Sequence, residues 1–252
     1  MRLRPVAVLA TLAALAWINP IQAGMFEIDF TPGGTWTGTA PGGASNSVIL
    51  SAVFTDSGSL NTLLANQVQL VITSNLAPGE RLMAGDALYL NFNPAKSSDL
   101  GSLTFALTAH SVGFPQAATV GESENGFKPD GDGQYDLLFM YSLMMGQSAF
   151  LGGTSQTYLI TDTASASLLA SDFDFPSFQA VHGDPFGPFL AAMHVQNTPN
   201  GGSGSAFVAG QPAGSPTPFV GPVPAPSSAI LLGMGAVALL FGLRQRGTLR
   251  PA

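Results

Sequence analysis

Between residues 25 and 209 the chain alternates apolar and polar side chains at every second position, in eight or nine short runs. Successive side chains of a strand point to opposite faces, so this period marks half-buried strands. Met25 to Phe30 alternates apolar with acidic residues, and Ser47 to Thr55 is β-branched and aromatic. Gln67 to Thr73 places Val68, Leu70 and Ile72 on one face. Ala87 to Phe92 and Ser102 to Thr108 repeat the pattern, as do Tyr135 to Ser142, Gln156 to Thr161 and Pro188 to Gln196. Ser205 to Ala209 closes the set. Turn clusters such as Thr31-Pro32-Gly33-Gly34, Ala77-Pro78-Gly79 and Gly131-Asp132-Gly133 separate the runs. The expected fold is mainly β: an antiparallel β-sandwich, jelly-roll-like, over residues 24–210. One short helix is expected at Ala164 to Ala170.

The two ends follow other rules. Arg2 and Arg4 precede Val6 to Ile18, where 12 of 13 residues are apolar. Asn19 and Pro20 break the run, and Ala23 is a small residue suited to cleavage. Residues 1–23 read as a secretory signal peptide, because a membrane span needs about 20 apolar residues. At the other end, residues 211–226 hold six prolines, an extended and semi-rigid spacer. Ala229 to Leu243 is continuously apolar or Gly, and Arg244, Arg246 and Arg250 follow. A transmembrane helix over about 227–243 is expected, with the arginines holding its cytoplasmic flank.

Charge divides along the same lines. The chain carries −7 overall, but all 15 acidic residues lie between Glu27 and Asp184. Only Arg81, Lys96 and Lys128 oppose them there, so the body carries −12. Nucleic acid is excluded as a partner, since no cationic surplus exists to displace counterions. With no cysteine, disulfides and cysteine-ligated metal are excluded as well.

The densest polar segment runs from Glu122 to Asp136. Two readings of it compete. Asp-Gly is a strong hairpin signal, which favours a plain acidic turn. Alternatively Asp130, Asp132, the Gln134 carbonyl and Asp136 supply four oxygens to calcium, with Glu122 or Glu124 as a fifth. The loop lacks the closing Glu and flanking helices of an EF-hand. His110, His182 and His194 have no zinc spacing, so ordinary hydrogen-bonded histidines are expected. No G-x-S-x-G elbow occurs. The paired acids Glu27 with Asp29 and Asp172 with Asp174 read as solvated strand edges, and no enzyme is expected. Trp36 is expected to pack at a core or edge, and Phe173, Phe175, Phe178, Phe186 and Phe189 to anchor long loops.

Val223-Pro224-Ala225-Pro226, the apolar helix and the arginine cluster together resemble the PEP-CTERM sorting domain of exopolysaccharide-producing Gram-negative bacteria. The likeness covers 223–247, and Ala225 stands where the family has Glu. The resemblance implies handling by a membrane-embedded exosortase that cuts near Pro224-Ala225-Pro226, after signal peptidase has cut at Ala23. Retention as a membrane anchor is the alternative. The body is similar to an ectodomain type found among such sorted proteins. The segments carrying this likeness are Leu70 to Leu76 with Gly79-Glu80, Phe127 to Asp136, and His194-Val195-Gln196. These likenesses imply an exported structural or adhesive protein of the cell surface, extracellular matrix or biofilm, in contact with extracellular polysaccharide. A calcium-dependent, lectin-like glycan-binding module is the alternative function.

Overall fold

The computed structural model describes residues 24–111, 116–130, 132–141, 150–179 and 186–214. The expected signal peptide, most of the spacer, the sorting signal at Pro224-Ala225-Pro226, the apolar helix with Arg244 and Arg246, and His182 lie outside them. Among the described residues no helix is long and apolar enough to cross a membrane.

Eleven strands form among the described residues. They are β1 (Met25–Gly38), β2 (Leu50–Asp56), β3 (Gln67–Ser74), β4 (Arg81–Leu82), β5 (Leu88–Leu90) and β6 (Leu103–His110). There follow β7 (Thr119–Phe127), β8 (Tyr135–Met140), β9 (Thr154–Asp162), β10 (Ala191–Thr198) and β11 (Gly204–Pro212). All strand pairs are antiparallel, in the order β6-β9-β3-β2-β1-β11-β10-β5-β8-β7, with β4 on β10. The mainly β, antiparallel expectation therefore holds. Instead of two stacked sheets, one sheet curls until it is nearly closed into a barrel.

The inward faces carry the period-two residues. In β3, Val68, Leu70 and Ile72 are fully buried, and in β2 so are Leu50, Ala52 and Phe54. With Ile28, Phe30, Leu137, Phe139, Tyr158, Ile160, Met193 and Val208 they fill one interior core. Burial of this apolar surface is the main stabilising term for a chain without disulfides.

The seam lies between β6 and β7, neighbours in sequence but opposite ends of the sheet. Side chains bridge it. Phe105 of β6 meets Phe139 of β8 edge-on at 5.7 Å. Tyr158 of β9 accepts the Ala118 amide at 2.9 Å and donates to Gln156 at 2.6 Å. Burial pushes the Tyr158 hydroxyl up to about 12, so it keeps the proton it donates.

A second cluster covers part of the outer face. Tyr89, Tyr135, Leu138, Ala192 and Phe207 pack there, with Trp36, Phe127 and Met140 at the margin. This explains why β5 and most of β8 are buried on both faces. Trp36 packs as expected, against Phe189 at 5.0 Å and Phe207 at 5.7 Å.

Two expected boundaries change. No helix forms at 164–170. The Asp162 carboxylate captures the amides of Ala164 and Ser165 at 2.9 and 3.0 Å, a turn that competes with helix, and a 3-10 segment follows only at Ala170–Phe173. The last strand also takes two residues of the expected spacer, because Gln211 and Pro212 pair with Asp29 and Ile28.

Candidate functional site: a groove at one end of the barrel

Beyond the last pair of the β5–β8 ladder, Leu90 with Leu137, the chains diverge. A groove of about 800 Å3 opens there. Such a volume falls in the range of roughly 300–1,000 Å3 typical of small-ligand sites. Its walls come from the segment after β5, the tip of β7, the start of β8, and the stretches 175–179 and 187–188.

Each wall is fixed by a local hydrogen-bond device. Asn93 accepts the Ala95 amide at 2.9 Å, capping the 3-10 segment Pro94–Ser102, and donates to Asp172 at 2.9 Å. Lys96 holds the other oxygen of Asp172 at 2.6 Å. Asn91 is buried and donates to the Leu190 carbonyl at 3.3 Å. Asn125 sits at φ 50° in the tip of β7, a left-handed conformation that Asn tolerates. Gln179 donates to the Phe186 carbonyl at 2.7 Å.

Asp136 joins two of these walls. Its Oδ2 accepts the Phe92 amide at 3.0 Å and its Oδ1 the Asn125 amide at 2.7 Å. Ser177 joins two others: it accepts the Phe189 amide at 3.2 Å and donates to Asp132 at 3.3 Å. On the rim, Phe178 is 53 % exposed although its backbone is pinned in a two-way bridge with Gln134. The loop-anchor expectation is met by Phe173 and Phe189, which are buried, and is corrected for Phe178, whose ring faces solvent.

Of the four expected calcium ligands Asp136 lines this groove, and the four serve different partners. Asp130 is exposed, and its carbonyl accepts the Trp36 indole at 2.6 Å. The Asp132 carboxylate is fully buried and takes the Tyr135 hydroxyl as well as Ser177. Burial, reinforced by Asp132, raises the Tyr135 phenol well above its ordinary value, so it remains a donor. Gln134 is held by Phe178 and Asp136 by two amides. A calcium shell needs six to eight converging oxygens. Among the described residues no three carboxylates or imidazoles converge on one point. The segment takes the form of the hairpin between β7 and β8.

The remaining candidates are dispersed. His110 is exposed on β6 with Nδ1 3.0 Å from the Ser111 carbonyl. His194 stacks on Phe207 at 4.1 Å, and its Nδ1 lies 2.9 Å from Asp86. Glu27 and Asp29 share one face of β1, where burial raises both carboxyls and Asp29 adds to the rise at Glu27. No family model, curated protein or solved structure matches the chain.

Proposed function

We propose that this is an exported surface or matrix protein whose barrel adheres to polysaccharide through the end groove. Signal peptidase cuts after Ala23, the proline-rich segment that follows β11, up to 226, holds the barrel away from the membrane, and the apolar helix about 227–243 anchors or sorts it. An exosortase-like enzyme is the sorting partner, acting near Pro224-Ala225-Pro226. The finer architecture, a barrel-like ectodomain with one membrane helix, belongs to this proposal. No catalytic step is assigned.

One observation carries the adhesive reading: an exposed aromatic ring stands over a groove lined by side-chain amides. Sugars present an apolar C–H face and a ring of hydroxyls. Phe178 offers an aromatic surface to the first. Asn91, Asn93 and Gln179 each give one amide hydrogen to a protein carbonyl or carboxylate, so the second is met by their remaining donor and acceptor positions and by Asn125. The charged lining residues are Glu124 and Asp136, both acidic. The groove therefore suits a neutral or N-acetylated saccharide and disfavours a uronic acid polymer, by like-charge repulsion. The contact needs no metal.

A panel of neutral, N-acetylated and uronic oligosaccharides, titrated against the protein by calorimetry, tests this. Neutral or N-acetylated members are expected to bind and alginate fragments to fail. Silence across the panel, or a preference for alginate, overturns the reading.

A further inference from the structure

Asp56 ends β2 and is 1 % exposed. Its Oδ1 accepts the amides of Gly24 at 3.1 Å and Gly58 at 2.9 Å, and its Oδ2 that of Ala170 at 3.2 Å. In return the Asp56 amide donates to the Gly24 carbonyl at 3.1 Å. Gly24 is thus held at both its nitrogen and its oxygen, one residue ahead of β1.

The approach leaves no room for a side chain at residue 24. A Cβ there would stand 2.4 Å from Asp56 Oδ2 and 3.4 Å from the Ala170 Cβ. Among the described residues, Lys96 pairs with Asp172, and no side-chain cation pairs with Asp56. The other acids on the 3-10 segment packed against it are Asp172, neutralised by Lys96, and Asp174, which is exposed.

Gly24 is also the residue that follows the expected signal-peptide cut. We propose that Asp56 is a built-in acceptor for the α-ammonium group released at Gly24, so that export processing creates an ion pair on a buried carboxylate. The inference rests on reading Ala23–Gly24 as the cut bond. Water adds across that bond. Ala23 departs with the new carboxyl group, and Gly24 keeps its nitrogen and takes up protons to become an ammonium. The nitrogen already lies 3.1 Å from Asp56, so a neutral amide contact becomes a charge-assisted one without movement of the chain. The contact is partly buried, so a formal charge on the donor counts for more than on the open surface. The precursor has only the amide, and the mature barrel gains the ion pair on its first strand.

The test uses the chain from Gly24 to Ala252, in mild detergent, beside the same chain acetylated at Gly24. The pH titration of the Gly24 α-carbon signal reads the amine directly. Its pKa is expected at least about one unit above the usual ~7.7–8.0 for an α-amino group. Acetylation is expected to lower the melting temperature by roughly 5 °C. Asp56→Asn should return the amine to its ordinary range, and the acetylation comparison needs no folded Asp56 variant. An unshifted amine with equal melting temperatures overturns the ion pair. Intact mass of the exported protein reads the cut separately: a start at Gly24 supports the coupling to export, and a cut at another bond overturns it whatever the titration gives.

Discussion

Asp136 accepts the Phe92 amide at 3.0 Å, immediately beyond the last rung of the β5–β8 ladder. A side chain thus continues the work of the sheet after its backbones part. With the Asn125 amide on its other oxygen, this carboxylate ties two walls of the groove together. Asp136→Ala leaves both amides without their acceptor. A cost of about 2–5 kcal/mol is expected, since each orphaned buried group costs roughly 1–3 kcal/mol. Asp136→Asn retains one acceptor oxygen and should lose less. Urea unfolding of the two variants checks the order, and a smaller loss in the Ala variant would contradict the role given to Asp136.

Phe178 is the converse case. Its ring is 53 % exposed, so Phe178→Ala should change stability by no more than about 0.5 kcal/mol. Saccharide affinity should fall about tenfold or more, the loss of roughly 1.4 kcal/mol of ring contact. Calorimetry on a folded variant separates the two effects. Unchanged affinity would remove the ring from the binding surface.

Among the described residues six carboxylates are buried: Asp56, Glu80, Asp132, Asp136, Asp162 and Asp172. Glu80 shows their common role. It accepts the amides of Gly42 at 2.7 Å, Ala77 at 3.2 Å and Asn200 at 2.9 Å, tying three separate loops. In a chain with no cysteine, such hubs hold loops where a secreted domain often has disulfides. Glu80→Ala should therefore raise hydrogen exchange at all three amides together while β3 stays protected. Exchange confined to one loop would show that the loops are held independently.

The same hubs explain what was legible in the sequence. Strand β3 was readable because Val68, Leu70 and Ile72 alternate with Gln67, Gln69 and Thr73, although Val71 faces outward and Ser74 inward, and the three apolar residues are in register against β2. Strand β7, TVGESENGF, was not: it pairs only with β8 at the sheet edge and has no consistently buried face, so no periodic signal is demanded of it. The net −12 of the body does not say which acids are solvated. A large part of it is internal, because an acid that caps loop amides looks in sequence like one that faces water. The groove was hidden for another reason. Asn91, Asn93, Asn125 and Gln179 come from distant segments, and nothing local marks four amides as neighbours. Phe178 was visible as an aromatic residue, but its exposure depends on the bridge to Gln134.

Asp132 separates the metal reading of the hairpin from the structural one. Its carboxylate holds Tyr135 and Ser177 in the interior. Asp132→Ala should destabilise the protein by the same amount in calcium and in chelator. Asp130→Ala, at an exposed side chain, should be nearly neutral in both. Melting curves with and without millimolar calcium decide. A calcium-dependent rise in the unaltered protein that both variants lose would establish a metal site here.

The pH dependence of stability follows from two opposed groups of acids. Partial desolvation raises the carboxyls of Glu27, Asp29, Glu122 and Asp174, so the folded chain binds their protons more readily than the unfolded one. Stability then rises as pH falls through their folded values toward the ordinary ~4 of a free carboxyl. Asp162 behaves oppositely. Burial alone would raise it, but bonds from Ser102, Ser165 and Ala164, with the charge of Lys96, together lower it. Its contribution is full above the unfolded value and is lost as pH falls through the folded one. The urea midpoint should therefore be higher near pH 5 than at pH 7, and should drop below about pH 4. Glu27→Gln should flatten the upper limb, because it removes both the desolvated charge and its repulsion with Asp29. Asp162→Asn should flatten the lower one. A midpoint that falls steadily from pH 7 to pH 5 would show that the raised carboxyls contribute little.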